Sequence, residues 1–204
     1  MKIPSRQQAE ELIAEAERRN PGPWVAHSRY VGEAAQAIAG YHPELDFETA
    51  YILGFLHDIG RYFGVTGMRH SLDGYHFLME KGFDDAARIS MTHSFPVQDI
   101  HHVGGEWDCT EEEFEFIRKY LAEIKFNKYD RLIQLCDGIS LPTGHCLIEK
   151  RMVDVALRYG TTQYSVPRWK AFFKIKEFFE KEIGCSIYSL LPNVVENTFG
   201  FDIQ

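Results

Sequence analysis

The dipeptide His57-Asp58 closes the most hydrophobic stretch of the chain, Ala50-Tyr51-Ile52-Leu53-Gly54-Phe55-Leu56. A carboxylate there is costly to keep ionised unless it is paired or bound to a cation. The same holds for Asp137, which sits among Leu132, Ile133, Leu135, Cys136 and Ile139. His27 falls on the apolar face that Trp24, Val31 and Ile38 trace at helical spacing, and His93 shares a stripe with Ala86 and Ile89. Taken singly, an inward histidine is most often a hydrogen-bonded core residue. Taken together, imidazoles and carboxylates on separate buried helices make a donor set suited to zinc, iron, manganese, nickel or cobalt, and helices can aim such side chains at one point inside a bundle. Neighbours on a helix point about 100° apart, yet at a helix end His57 and Asp58 could both reach one ion from the same side.

The elements that must position these residues read as helices throughout. Ser5 with Gln8 forms a capping box ahead of Leu12, Ile13 and Ala16, and Asn20-Pro21-Gly22-Pro23 breaks the chain before a second helix to about Gly40. Asp46 caps a third helix, with Gly60 placed as its C-terminal cap. Shorter helices follow from about His70 to Lys81, where His70, Gly74, Phe77 and Leu78 share a face, and from Asp84 to Ser94, stopped by Pro96. Thr110 with Glu113 caps a sixth helix and Asn127 opens a seventh that carries Asp137 and Ile139. Two more run from Cys146 to Tyr159 and from Val166 to Ile183, the second rich in phenylalanine. No alternating pattern of useful strand length occurs, so the fold class is all-α, an irregular helical bundle.

Composition sets the frame. With 204 residues, 45% of them hydrophobic, and neither a Gly/Ser-rich linker nor a fixed-period repeat, one helical domain over 1–204 is expected. A net charge of -8 argues against a nucleic-acid or anionic-membrane surface, while a small anionic substrate stays compatible because a bound metal reverses the local field. Cys109, Cys136, Cys146 and Cys185 lack any C-x-x-C spacing and read as reduced packing residues. The charged, amphipathic first twenty or so residues lack the apolar core of a signal peptide, and no run approaches a membrane span, so a cytoplasmic location is expected.

His27, then His57-Asp58, then Asp137, on successive helices, resembles the HD-domain metal-dependent phosphohydrolase superfamily over roughly Pro23 to Ser140. The resemblance implies a motif-bearing core of about 23–140 with the C-terminal helices packed onto it. It also implies that His27, His57, Asp58 and Asp137 hold a first divalent ion. Forms of the superfamily with two metals add two histidines between the HD pair and the last aspartate, and His70 and His93 match those places. That implies a dinuclear site with Asp58 bridging to a second ion on His70 and His93; the alternative is one ion, with these two histidines in structural or substrate roles. Many members carry lysine where this chain has Arg61, which keeps the charge but offers a bidentate fork. The Gly-Tyr-Pro signature of the branch that cleaves cyclic di-GMP is missing, since Gly74-Tyr75-His76 is a different sequence in a different place.

The activity implied is hydrolysis of a phosphate ester or anhydride of a small molecule, a nucleotide foremost, with the metal lowering the pKa of bound water and polarising a phosphoryl oxygen. Asp58, Arg61 and His102 are the catalytic candidates. Arg61, Arg69 and His101 are the candidates for holding substrate, with His101 and His102 in a loop beside Val103-Gly104-Gly105. Two other readings use the same residues: a di-iron oxygenase of the HD type acting on a small polyol or phosphonate, and a non-catalytic module that binds a nucleotide for regulation. The aromatic run Trp169 to Phe179 is compatible with core, pocket cap or homodimer surface.

Overall fold

Short polar side chains start several of the helices by taking backbone N–H groups that the first turn leaves free. In the computed structural model, which describes residues 1–201, capping boxes of Ser5 with Gln8, Thr110 with Glu113 and Asn127 with Asp130 open α1 (Arg6–Arg19), α6 (Glu111–Glu123) and α7 (Lys128–Asp137). Asp46 accepts from the Thr49 amide at 2.7 Å to open α3 (Phe47–Leu56), and Pro23 occupies the first turn of α2 (Pro23–Ala39). Between them lie α4 (Arg69–Glu80) and α5 (Asp84–Thr92); beyond α7 come α8 (Ile148–Tyr159), α9 (Ser165–Ile183) and α10 (Val194–Phe199).

Helix α3 is buried from Ala50 to Leu56, as its uninterrupted apolar run requires, and α2 crosses it where both lack side chains. A Cβ added at Gly54 would stand 2.9 Å from Gly32 Cα and 2.9 Å from the Val31 carbonyl oxygen, so these two backbones touch. That contact brings the helix of His27 against the helix that ends at His57. The α4–α5 pair repeats the device: a Cβ at Gly74 would collide with the Ser90 side chain.

Helix α5 is tied to α7 by a buried polar network. Asp130 is fully buried and accepts from Arg88 Nε on both oxygens at 3.1 Å and from Thr92 Oγ1 at 2.7 Å; Gln134 Nε2 donates to the carbonyls of Thr92 and Phe95 at 3.0 and 3.1 Å. A buried carboxylate satisfied this completely holds its two helices in one register. From the C-terminal third, Phe172, Ile175 and Phe179 of α9 join the same apolar cluster as Trp24, Val31 and Leu53, whereas Phe178 is exposed. A second cluster, built on Met68, Leu72, Met91 and Phe95, receives Ile117 and Leu121 of α6.

Several boundaries differ from the sequence-based expectation. Gly60 does not cap α3: the helix ends at Leu56 with His57 as its C-cap, and Gly60 lies buried in a 3-10 turn, Ile59–Phe63. There a Cβ would stand 2.6 Å from the Gly74 amide nitrogen, so glycine is required by the approach of α4 and not by helix termination. Helix α7 ends at Asp137 and leaves Ile139 outside, and α8 starts at Ile148 because Ser140–Leu141 (β1) and Gly144–His145 (β2) form a small antiparallel hairpin ahead of it. Among the described residues no helix is long and apolar enough to cross a membrane, and all four cysteines are free, with Cys136 and Cys146 buried.

Candidate metal centre

Four helix ends and one helix face converge inside this frame. His27 comes from the buried face of α2, His57 and Asp58 from the end of α3, His70 from the first turn of α4, His93 from the C-cap of α5 and Asp137 from the last residue of α7. All but Asp137 are buried, and Asp137 is only slightly exposed.

The ring orientations share one cause. His57 Nδ1 stands 2.7 Å from the Gly54 carbonyl, His70 Nδ1 2.5 Å from that of Gly67, and His93 Nδ1 2.8 Å from that of Ser90. A ring nitrogen facing a carbonyl oxygen makes a hydrogen bond only if it donates, so each proton is on Nδ1 and each Nε2 presents a lone pair to the centre. Backbone carbonyls in this role fix tautomer and ring orientation for metal-ligating histidines. His57 Nε2 is buried with no hydrogen-bond partner, as is His27 Nδ1.

Asp58 Oδ1 stands 3.2 Å from His70 Nε2, 3.5 Å from His93 Nε2 and 3.9 Å from His57 Nε2, while Asp137 Oδ1 stands 3.1 Å from His27 Nε2. Two donors on one ion at bond lengths near 2.1 Å and angles of about 90–110° lie about 3.0–3.4 Å apart, so the His70–Asp58 and His27–Asp137 spacings are those of co-ligands and the His93–Asp58 spacing lies just beyond. Ligand atoms within 4.8 Å of one another define the triads His27-His57-Asp58, Asp58-His70-His93 and His57-His93-Asp137. The first two share Asp58. The donor set and the orphaned Nε2 of His57 fit divalent transition ions.

Burial alone would push the Asp58 carboxyl up, but Arg61, His57 and His70 outweigh it and hold it well below the usual carboxylate range. Asp137 is likewise held down against its burial, by the hydrogen bond and charge of His27 and by Arg151. Burial pulls His57 down, and His93 falls to about 3 through burial and the neighbouring His57 and His70 rings. Carboxylates held ionised beside His57 and His93, which burial keeps from taking up protons, are in the state that ligation demands.

A cavity of about 550 Å³ opens over the centre, with His27, Asp58, His70 and Asp137 in its wall. Arg61 lines it too, its Nε 2.8 Å from Asp58 Oδ2. Arg69 instead turns away to Glu113 at 2.8 Å and Asp73 at 3.4 Å, because the capping box at the start of α6 presents Glu113 to it. His101 and His102 stack on and abut Tyr164, with ring centroids 5.8 and 4.8 Å from it; it is Gly104 and Gly105 of their loop that reach the cavity. Three lining arginines carry no motif in the sequence: Arg151, Arg158 and Arg168. Their signal was faint. Arg151 and Arg158 share the stripe of Val155 on α8, cations on a part-buried face.

The chain matches the HD domain family over residues 24–141 and belongs to it, the metal-dependent phosphohydrolase superfamily whose motif order it carries. Among solved structures, the HD domain of the L. monocytogenes phosphodiesterase PgpH, in complex with cyclic-di-AMP, is similar in fold: TM-score 0.50 and 15% identity, covering 95% of this chain and 99% of that one. No curated protein matches the chain in sequence.

Proposed function

We propose that the chain is a dinuclear phosphohydrolase that cleaves a phosphate ester or anhydride of a small nucleotide-like molecule, with α8 and α9 belonging to the same catalytic unit. The position of Asp58 carries this reading, since its carboxylate belongs to one triad with His27 and His57 and to another with His70 and His93. His27, His57, Asp58 and Asp137 would hold one ion, and Asp58, His70 and His93 the second. Bound there, divalent ions supply a nucleophilic water near neutral pH and polarise the phosphoryl group. Arg61, anchored through Nε to Asp58 and through Nη1 to the Thr66 carbonyl at 3.4 Å, lines the cavity, where its guanidinium can meet a phosphate. Trp24 and the Pro21–Pro23 turn form an apolar border that limits water at one side. The cyclic dinucleotide on the PgpH domain supports a nucleotide as substrate class.

The test is phosphate release from a panel of nucleotides by protein loaded with Mn, Fe, Zn, Ni or Co, run anaerobically, beside Asp58→Ala. Release that disappears in the variant supports the reading. Oxygen consumption by the iron form with no anaerobic phosphate release would replace it with the di-iron oxygenase, and tight nucleotide binding without turnover on any metal would replace it with a regulatory module.

A further inference from the structure

The cavity wall carries more arginines than carboxylates. Arg61, Arg151, Arg158 and Arg168 line it against Asp58, Asp137 and Asp154, in a chain whose net charge is -8. Two of those carboxylates are candidate ion ligands, so cation binding withdraws their charge from the arginines.

The remaining pairing is unequal. Arg151 Nη1 lies 3.1 Å and Arg158 Nη2 2.8 Å from the same oxygen of Asp154, so one carboxylate serves two guanidiniums. Arg151 also lies 3.7 Å from Asp137 Oδ1. Arg168 has no carboxylate within 4.0 Å among the described residues, its Nε is buried without a partner, and its guanidinium packs over Phe172 at 5.3 Å. On its other side it meets the Gly104 backbone so closely that a Cβ there would collide with it. A part-buried guanidinium with no ion-pair partner, its Nε out of solvent and the group lining the cavity, is costly to keep and fit to receive an anion there.

We propose that Arg168, with Arg151 and Arg158, forms a second anion subsite beside the metal centre, so that the substrate carries a further phosphate next to the one that is cleaved. These residues lie outside the 24–141 family match, so the subsite does not follow from that match. The inference rests on the metal centre being the site of phosphoryl chemistry. It specifies a diphosphate, polyphosphate or bisphosphate over a simple monoester.

Isothermal titration of the metal-loaded full chain with methylenediphosphonate and with inorganic phosphate tests it, comparing Arg168→Gln, Arg168→Lys and the half-exposed Arg158→Gln. Losing a charge-assisted fork should weaken methylenediphosphonate about tenfold or more while phosphate shifts by less than about twofold, with partial recovery in Arg168→Lys. Metal content and melting temperature report that centre and fold are intact, and Arg158→Gln carries the same comparison where Arg168→Gln does not fold. Equal losses for both probes, or none for either, overturn the second subsite. Selective loss in a protein that turns over no nucleotide would leave the subsite standing and remove the phosphohydrolase reading; turnover without selective loss would do the reverse.

Discussion

The Nε2 atoms of His70 and His93 stand 3.1 Å apart, and each ring has its other nitrogen committed to a backbone carbonyl. Two lone pairs facing each other at that distance repel unless a cation lies between or beside them, which gives this pair a use that a core hydrogen bond would not. Elemental analysis of protein purified without chelator should find about two ions per chain, falling to about one in His70→Ala/His93→Ala. About one ion in both proteins would return these histidines to a structural or substrate role.

Asp58→Ala removes the carboxylate shared by both triads. Altering a mere supporting partner of a metal ligand costs roughly 10–100-fold, so removal of this ligand should cost more than about 100-fold in turnover and lower metal content as well. Full metal occupancy and activity in this variant would displace Asp58 from the centre.

Arg61→Ala should raise KM for a phosphorylated substrate while metal content is retained, because Arg61 contacts the outward oxygen of Asp58 and lines the cavity. An unchanged KM would confine Arg61 to orienting Asp58.

The chelated protein should lose stability as the pH falls from about 6.5. His57 and His93 are depressed in the fold from 6.5, His93 to about 3, so below their unfolded value the unfolded chain binds more protons and acidification favours it. Asp58 and Asp137, depressed from 3.8, contribute stability that is present above that value and is lost at still lower pH. Denaturant midpoints between pH 7 and 4 would measure the slope; a flat profile would mean that the imidazoles are not buried neutral.

Gly54→Ala puts a methyl group into the α2–α3 crossing, where Gly32 Cα is 2.9 Å from the added carbon. Overpacking of this kind costs about 1–3 kcal/mol, and a chain of this size loses roughly 2–4 °C in Tm per kcal/mol. Calorimetry on the variant gives the figure directly, and an unshifted Tm would show that the crossing can open without cost.

The helices and the inward placing of the six converging residues are legible in the sequence because each signal is local, while their meeting at one centre comes from the family resemblance. A histidine or aspartate on an apolar stripe, a capping residue before it and a glycine beside it all lie within one or two turns. The roles of Arg69, His101 and Arg168 depend on what lies across from them in space. Arg69 meets Glu113 through a capping box on another helix, His101 meets Tyr164 at the start of α9, and Arg168 becomes a cavity residue only when α9 packs beside the loop of Gly104. Gly60 has the sequence appearance of a helix cap, since a glycine after a helix looks alike whether it ends that helix or admits another backbone.

The carbonyl tethers on His57, His70 and His93 also bear on proton traffic. With Nδ1 donating to its own chain and Nε2 turned to the centre, none of these rings has a nitrogen left to pass a proton onward. They are rigid supports. A leaving group that departs from the cleaved phosphoryl group would therefore take its proton from some other donor, a side chain of the cavity wall, solvent or the substrate itself, and the reaction's acidity profile should follow that donor instead of any of these three histidines.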